Sequence, residues 1–398
     1  MKLFLITSRV PYPLEKGDKL RAFHFLRELS RYNELYLFCI SGIKEDEKAL
    51  QELKKFCKEV HFYKLHFLFR FFSLFRSLFQ GKPFQVGWFY SSSAASAVNK
   101  LVSRIQPDVF FCQLVRTAEY LPKAYAGIKV IDYMDAFSVG MQRRYTQSRF
   151  PMSQVYRYEY EKLTAYEEAV MHKFHLHLII SDQDKGLMPK AMQPMLKVLR
   201  NGVDLAYYRY EDAQEYKVRN ELLLFSGNMS YPPNIQAAHY LVEKILPLVH
   251  QHHPKARVTL AGARPTASVK KMGGKDVRVT GWINDLRHEY SQAKVFVAPM
   301  FSGTGMQNKL LEAMAMALPC ITTRMAAEAI NGEHMENIII ADDEKSFSEA
   351  INFLLSHPEE AKNLGLKGRK HVEHSFSWQH HLQELQNWLI DEKGNISR

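Results

Sequence analysis

The chain has 398 residues, more than one hydrophobic core usually serves, so two domains are expected. Hydrophobic residues make up 46% of it and charged residues 24%, which is ordinary for a globular protein. The 53 Lys and Arg outnumber the 42 Asp and Glu, giving a net charge of +11. This excess fits either a solvated basic surface or an anionic partner such as phosphate, nucleic acid or membrane.

The cysteines and the apolar segments argue against several classes of protein. The four cysteines are scattered without a C-x-x-C spacing, which argues against a disulfide framework or a zinc site and indicates a reducing compartment. The apolar start of the chain is too short for a signal peptide and soon meets Pro11. No stretch reaches the length of a transmembrane helix. We therefore expect a cytoplasmic protein.

The first half of the chain alternates short apolar runs with helical patterns, which is typical of a doubly wound α/β domain. The predicted strands are Lys2–Ser8, Leu35–Ile40, Val60–Tyr63, Asp108–Gln113, Ile128–Asp132, His175–Ser181 and Leu196–Leu199.

Gly17 and Asp18 come between the first predicted strand and the helix that follows it. In an open α/β sheet this loop faces the ligand crevice, so both residues are candidates for a phosphate site. The plainer interpretation is that Asp18 caps the helix. Arg21, one turn into the helix, either reaches a phosphate or is solvated.

The segment 64–90 is rich in Phe and Leu and carries several cations, including Arg70 and Arg76, but no acid. This composition resembles an interfacial helix on an anionic membrane surface. The alternatives are a core helix with snorkelling arginines or the aromatic wall of an acceptor cleft.

Acidic residues follow the strand predicted at Ile128–Asp132. Asp132 and Asp135 stand at the carboxyl end of that strand, where an acid can serve as a base, a partner for an acceptor hydroxyl or a helix cap. Asp135 is the better functional candidate.

After Asn201-Gly202-Val203-Asp204 the alternation of strands and helices restarts, which predicts a second α/β domain. We divide the chain into an N-terminal domain at 1–202, a second domain at 203–375, and a helix and tail at 376–398 that can pack back on either domain, including the first. The predicted strands of the second domain are Glu221–Phe225, Arg257–Leu260, Val277–Val279, Lys294–Ala298, Cys320–Thr323 and Ile338–Ile340.

The stretch 299–323 reads as a strand end, a glycine loop, a helix from about Met306 to Ala317 and another strand. The start of such a helix suits a phosphate, because its N–H groups and dipole favour an anion. Asn308, Lys309 and Glu312 share one polar side of this helix. The plainer interpretation of Glu312 is a surface acid paired with Lys309.

Three further loops follow strands of the second domain and line the same predicted crevice. They carry Gly227 and Asn228, then Arg264, then Gly281 and Trp282. Arg264 and Lys309 supply cations for a diphosphate.

These motifs, in this order, resemble the family-4 glycosyltransferases, a retaining group. The matching segments are Asn201-Gly202-Val203-Asp204, Ser226-Gly227-Asn228, Val279-Thr280-Gly281 and Lys309-Leu310-Leu311-Glu312-Ala313-Met314-Ala315. The run from Gly305 to Ala315 is particularly similar to the subgroup associated with exopolysaccharide export. The resemblance covers nearly the whole chain and is stronger after residue 200.

The resemblance implies a GT-B architecture, with two facing Rossmann-like domains and an interdomain cleft. It implies that Glu312 holds the donor ribose, and that the backbone around Gly305 and Met306, flanked by Thr304 and Gln307, contacts the donor phosphates or sugar. Gly17 and Asp18 would lie on the interdomain phosphate side.

Two departures from the family pattern concern the donor site. Thr304 stands where the family commonly has a Glu, and Asn228 and Ser230 occupy the region where most members carry an Arg and a Lys. Lys309 is the candidate electrostatic substitute.

The resulting hypothesis is retaining transfer of a sugar from a nucleotide-diphosphate sugar to a hydroxyl of a saccharide or lipid-linked acceptor at the membrane. Lys309 and Asp135 are the catalytic candidates, and no cofactor or metal is expected, since no D-x-D motif ends a strand convincingly. Asp342 and Asp343 are expected to cap a helix instead. The alternatives are a nucleotide-sugar epimerase and a catalytically inactive membrane-bound scaffold. Nucleic-acid binding is disfavoured because no recognition module accompanies the charge.

Overall fold

A computed structural model describes residues 1–14, 16–41, 47–209, 221–302 and 306–396. The described chain forms two compact units. The first comprises Met1–Arg200 and Gln379–Arg398, and the second comprises Asn201–Trp378. The second unit is therefore inserted, in sequence, between the body of the first and its C-terminal segment.

The first unit is built on a parallel sheet of seven strands in the order β3-β2-β1-β4-β5-β6-β7. Its strands are β1 (Lys2–Thr7), β2 (Glu34–Ser41), β3 (Glu59–Lys64), β4 (Val109–Gln113), β5 (Ile128–Met134), β6 (Leu176–Ile179) and β7 (Leu196–Val198). All seven predicted strands are confirmed, because continuous apolar runs are typical of strands buried on both faces.

Helices connect these strands. They are α1 (Gly17–Leu29), α2 (Glu47–Lys54), α3 (Phe67–Phe79), α4 (Phe84–Phe89), α5 (Ser92–Ile105), α6 (Phe137–Gln147), α7 (Met152–Met171) and α8 (Asp182–Leu187), with a 3-10 turn at Val115–Tyr120. The strand order reverses between β1 and β4, so the loops after these two strands flank the position where such sheets bind ligands.

The second unit has a parallel sheet of six strands in the order β10-β9-β8-β11-β12-β13. Its strands are β8 (Leu222–Ser226), β9 (Arg257–Ala261), β10 (Val277–Gly281), β11 (Val295–Ala298), β12 (Cys320–Thr322) and β13 (Ile339–Ile340). Here the order reverses between β8 and β11.

The helices of the second unit are mostly short. They are α9 (Pro232–Tyr240), α10 (Leu246–Val249), α11 (Ala267–Lys271), α12 (Arg287–Gln292), α13 (Asn308–Ala315), α14 (Arg324–Glu328), α15 (Glu344–Ser356) and α16 (Pro358–Ser375), with a π-helical turn at Leu241–Ile245. Asp343 caps α15 through a capping box with Ser346, as predicted, whereas Asp342 accepts a hydrogen bond from the backbone of Arg324.

The last helix, α17 (Trp378–Ile396), belongs to the first unit from Gln379 onward. Side-chain contacts hold it to that unit, among them two hydrogen-bonded pairs. Asn33 donates to Gln386 at 2.7 Å, and Lys393 pairs with Asp108 at 2.9 Å. Within the described part of the chain, no helix combines the length and apolar character that a membrane span requires.

Two expectations for α1 are wrong. The helix begins at Gly17 without a side-chain cap, and Asp18 instead accepts a hydrogen bond from Arg9. Arg21 does not point to a phosphate, because its side chain is fully buried and pairs with the carboxylate of Asp132. Since that carboxylate lies 111 positions away in sequence, local pattern gave no sign of the pair.

Candidate functional site

The loops predicted to line a crevice in the second unit do lie at one edge of its sheet. All six strands are parallel, so the residues that follow them share the carboxyl edge. Gly227 and Asn228 follow β8, and Arg264 follows β9 with an exposed side chain. At β10, Gly281 is the final residue and Trp282 comes next with 54% of its surface exposed. Helix α13 follows β11.

The loops after β8 and β9 approach each other so closely that both require glycine. A Cβ on Gly262 would lie 1.9 Å from the carbonyl oxygen of Gly227, and one on Gly227 would lie 2.7 Å from Nδ2 of Asn234. Both glycines have positive φ angles, +137° and +153°. Backbone without side chains therefore forms the floor beside the point where the strand order reverses.

Lys309 reaches from α13 toward the loop after β8. Its Nζ donates a hydrogen bond to Oδ1 of Asn234, lies 3.5 Å from the sulfur of Met300, and lies 5.0 Å from the centre of the Phe225 ring. Burial lowers the pKa of Lys309 to about 7, and Glu312 opposes this shift. The amine thus lies beside the strand reversal with an amide, not a carboxylate, as its partner.

Glu312 lies one turn further along α13, and the interpretation of it as a surface acid paired with Lys309 is wrong. Its Oε2 accepts a hydrogen bond of 2.9 Å from the hydroxyl of Tyr290, which also contacts Ser226 at 2.8 Å. Tyr208 also hydrogen bonds to this carboxylate. Burial raises the pKa of Glu312 to about 7, while the two tyrosine hydrogen bonds oppose the rise.

The start of α13 is held by residues from other parts of the unit. Gln307 is the N-cap residue and, like Met306, is buried. Asn308 accepts a hydrogen bond of 3.3 Å from Asn201, the first residue of the Asn-Gly-Val-Asp motif. That motif therefore positions the helix. Thr304 and Gly305 lie outside the described residues.

A second cluster lies at the carboxyl edge of the first unit's sheet. Gly17 and Asp18 begin α1, and the backbone carbonyl of Asp18 accepts a hydrogen bond of 2.7 Å from Gln113 at the end of β4. The Asp18 carboxylate pairs with Arg9 at 2.5 Å. Gly17 approaches the end of β5, since a Cβ there would lie 3.3 Å from the side chain of Met134.

Asp135, which follows β5, belongs to the same cluster. Burial raises its pKa to about 7, and the nearby carboxylate of Asp184 adds to the rise. A carboxyl group with such a pKa can take up a proton at neutral pH, as a general base must.

Sequence reasoning missed the functional potential of Arg116, on the 3-10 turn after β4. Its side chain is 6% exposed and its guanidinium lies 4.7 Å from the centre of the Phe89 ring and 5.5 Å from that of Phe137. Its Nε is buried without a hydrogen-bond partner. Burial lowers the pKa of Arg116 to about 10. Because Arg116 lies on a short turn and not in a periodic helix or strand, the sequence pattern did not mark it.

The segment 64–90 forms α3 and α4, and one side of α3 is exposed although it is apolar. The exposed fractions on this surface, here called the α3 surface, are highest at Phe79 (87%), Phe72 (71%), Phe67 (64%) and Phe75 (63%). The interpretation of α3 as a core helix is therefore wrong.

Comparison with known proteins finds a family model that matches part of the second unit and a relative that matches most of the chain. The model of the family "Glycosyl transferases group 1" matches residues 220–357. Over 369 residues, the chain is 22% identical to an uncharacterized 44.6 kDa protein in the cps region of Klebsiella pneumoniae, covering 88% of this chain and 90% of that protein.

Solved structures match both units. Sucrose-phosphate synthase from Thermosynechococcus elongatus is 14% identical with a TM-score of 0.72, over 99% of this chain and 100% of that one. Anabaena HepE in complex with UDP and glucose is 13% identical with a TM-score of 0.69, over 98% of each chain. The predicted fold class, two α/β units with parallel sheets that match the GT-B architecture, is confirmed. The family match supports the interpretation of the chain as a glycosyltransferase.

Proposed function

We propose that the protein transfers a sugar from a nucleotide-diphosphate sugar to an acceptor hydroxyl, with retention of anomeric configuration and without a metal ion. The observation that carries the proposal is the presence of a buried amine and a buried carboxyl group, Lys309 and Glu312, on one helix beside the strand reversal of the unit that matches the glycosyl transferase model. Epimerisation and a scaffold role are outcomes of the test below.

The donor would bind to the second unit. Transfer breaks the bond between the sugar and the diphosphate, so negative charge grows on the leaving nucleoside diphosphate. Lys309 would neutralise that charge, assisted by the N–H groups at the start of α13 and by Arg264. A bound diphosphate would raise the pKa of Lys309 and keep the amine protonated. Glu312, held by Tyr290 and Tyr208, would accept hydrogen bonds from the ribose hydroxyls.

The acceptor would bind to the first unit, where Asp135 is our candidate for the group that takes the proton from the acceptor hydroxyl. Its raised pKa lets it hold that proton at neutral pH. Gly17 and Asp18 would lie beside the same acceptor.

The α3 surface is proposed to dock on an anionic membrane. It combines exposed phenylalanines with the exposed Arg76, and neither α3 nor α4 contains an acid. Apolar side chains that enter the interface and cations that meet anionic head groups contribute separately to such binding. We further propose that the transfer belongs to extracellular polysaccharide synthesis and takes place at the cytoplasmic face of the membrane. The relative in the cps region of Klebsiella pneumoniae bears on the first part of this proposal only.

The test is transfer from a panel of uridine, guanosine and adenosine diphosphate sugars to acceptors in a membrane extract. Lys309→Met and Glu312→Gln should each lower transfer at least tenfold, because each removes a charge-assisted contact to the donor. Lys271→Met, an exposed lysine of the same unit, is the matched control. UDP-glucose is the first donor to try, since HepE was solved with UDP and glucose.

Other results would identify a different function. A changed sugar released without any acceptor would indicate an epimerase. Absence of nucleotide binding in calorimetry would indicate a scaffold that does not transfer sugar. Equal transfer by wild type and both variants would reject the assignment of Lys309 and Glu312.

A further inference from the structure

Two arginines of the first unit share one aromatic ring. The guanidinium carbon of Arg116 lies 4.7 Å from the centre of the Phe89 ring, and that of Arg70 lies 6.0 Å from the same centre. Arg70 also lies 5.5 Å from the centre of the Trp88 ring. We call Arg70, Phe89 and Arg116 the arginine row.

Within the described part of the chain, neither arginine of the row has a carboxylate in direct contact with its guanidinium. The Nε atoms of both arginines are buried without a hydrogen-bond partner. Among the residues that the structure describes, no carboxylate forms an ion pair with either guanidinium. Burial lowers the pKa of both groups. Aromatic rings stabilise such cations only weakly, so binding an anion would stabilise the buried charges of the row.

The two ends of the arginine row have different surroundings. Arg70 lies on α3, whose exposed phenylalanines form the α3 surface, and the Phe67 and Phe71 rings pack edge to face on Trp88. Arg116 lies at the other end, where the electrostatic influence of Asp18 and Asp135 reaches its guanidinium. One end of the row thus adjoins an apolar surface, and the other adjoins the loops after β1, β4 and β5.

We propose that the arginine row binds the phosphate groups of an acceptor carried on a long apolar chain. The chain would lie against α3, the phosphates would contact Arg70 and Arg116, and the end to be glycosylated would point toward Asp135. Arginine suits this role because its planar fork binds phosphate oxygens in pairs and stacks on aromatic rings. This inference names the acceptor class and so rests on the proposed function, although the binding that tests it requires no transfer.

The probe is geranyl diphosphate, titrated calorimetrically into the full-length protein. Inorganic diphosphate supplies the phosphates without the chain, and geraniol supplies the chain without the phosphates. We expect geranyl diphosphate to bind more tightly than either. Arg116→Gln and Arg70→Gln should each weaken its binding by roughly 10- to 100-fold, the value of a hydrogen-bonded charge, and leave geraniol binding unchanged.

Two controls separate binding from folding. Lys100→Gln removes an exposed cation from α5, outside both α3 and the row, and should leave geranyl diphosphate affinity within about twofold of wild type. Arg116→Lys keeps the charge but loses the fork, so its affinity should be intermediate. Hydrogen exchange of β4 and β5 peptides should be the same in wild type and Arg116→Gln, which shows that the first unit of the variant is folded.

Three outcomes would overturn the inference. Wild type that does not bind geranyl diphosphate has no such site. Geraniol binding as tight as geranyl diphosphate binding would show an apolar surface alone. Binding that survives Arg116→Gln but is lost in Lys309→Met would place the diphosphate on the second unit. If the row binds geranyl diphosphate as expected but no nucleotide sugar is used, the proposed transfer fails while the site stands.

Discussion

Arg21 and Asp132 form a two-pronged ion pair in the interior of the first unit, with distances of 2.7 Å from Nε to Oδ2 and 3.0 Å from Nη2 to Oδ1. Both side chains are fully buried. Such a pair contributes little net stability, but removing one partner leaves a buried charge without compensation.

We therefore expect Asp132→Asn to destabilise the first unit by about 3–5 kcal/mol. Hydrogen exchange of peptides from β1, β5 and α1, read by mass spectrometry, measures this unit separately from the other. The control is Glu161→Gln, which breaks the exposed pair of Arg157 and Glu161 and should cost at most about 0.5 kcal/mol. Equal effects of the two substitutions would contradict the assignment of Arg21 as a structural group.

The close contact between the loops after β8 and β9 should not tolerate an added methyl group. Gly262→Ala places a Cβ 1.9 Å from the Gly227 carbonyl oxygen, so the loop after β8 must move and binding of nucleoside diphosphate should fall at least tenfold. Gly274→Ala is the matched control, because no atom lies within 4 Å of the added Cβ. Calorimetry with UDP compares the two. Unchanged affinity in Gly262→Ala would show that the ligand does not use these loops.

Binding of a nucleoside diphosphate should weaken as the pH rises above 7. Lys309 has a pKa near 7 in the free protein, so at higher pH the ligand must bind together with a proton. Between pH 7 and 9, where the phosphates stay ionised, affinity should fall by up to about tenfold per pH unit. Calorimetry across this range should give a flat profile for Lys309→Met. A flat profile for wild type would show that Lys309 does not contact the diphosphate.

Glu312 should cost the free second unit stability at neutral pH. Burial raises its pKa from 4.5 to about 7, so the folded state holds the proton more firmly than the unfolded state, and stability falls as the pH rises between these values. The free energy of unfolding of Glu312→Gln should therefore equal that of wild type at pH 4.5 and be higher by about 1–3 kcal/mol at pH 8. Hydrogen exchange of β8 and α13 peptides measures the difference.

The matched control for Glu312 is Glu349→Gln, an exposed carboxylate on α15. Its stability relative to wild type should not depend on pH in the same range. A constant difference between Glu312→Gln and wild type from pH 4.5 to 8 would mean that burial does not penalise the carboxylate.

Flotation with liposomes should depend on the exposed phenylalanines of α3. Replacing Phe72 and Phe75 by serine removes two side chains that are 71% and 63% exposed, so it should reduce flotation without unfolding the unit. Ile390→Ser, at a 54% exposed position on α17, is the control. Arg76→Glu should act mainly on vesicles that contain anionic lipid. Flotation that survives the double phenylalanine substitution would reject the α3 surface as the docking site.

Sequence reasoning predicted the elements well because each strand of a parallel sheet is a local apolar run between turn residues. It could also place Lys309 and Glu312 on one side of a helix, since that relation spans a single turn. It could not find their partners. Asn234 lies 75 positions from Lys309, and Tyr290 lies 22 positions from Glu312, so only the folded sheet brings them together.

The same limit explains the errors in the first unit. Arg21 reads as a surface arginine until the fold brings Asp132 to it across 111 positions. Arg116 is not part of a periodic sequence pattern. That its guanidinium is buried between two aromatic rings, with an Nε that has no hydrogen-bond partner, is known only from the structure.

The chain enters and leaves the second unit at adjacent points. The backbone N–H of Val203 donates to the carbonyl of Phe376 at 2.8 Å, and Val203 pairs with Ser377 as in a parallel sheet. A unit whose two ends adjoin can be cut out and replaced as a cassette, since its neighbours in the chain need not stretch to meet the substitute. Exchanging residues 201–378 with those of a relative would thus test whether the second unit sets the sugar preference of the proposed transfer, with the first unit left unchanged.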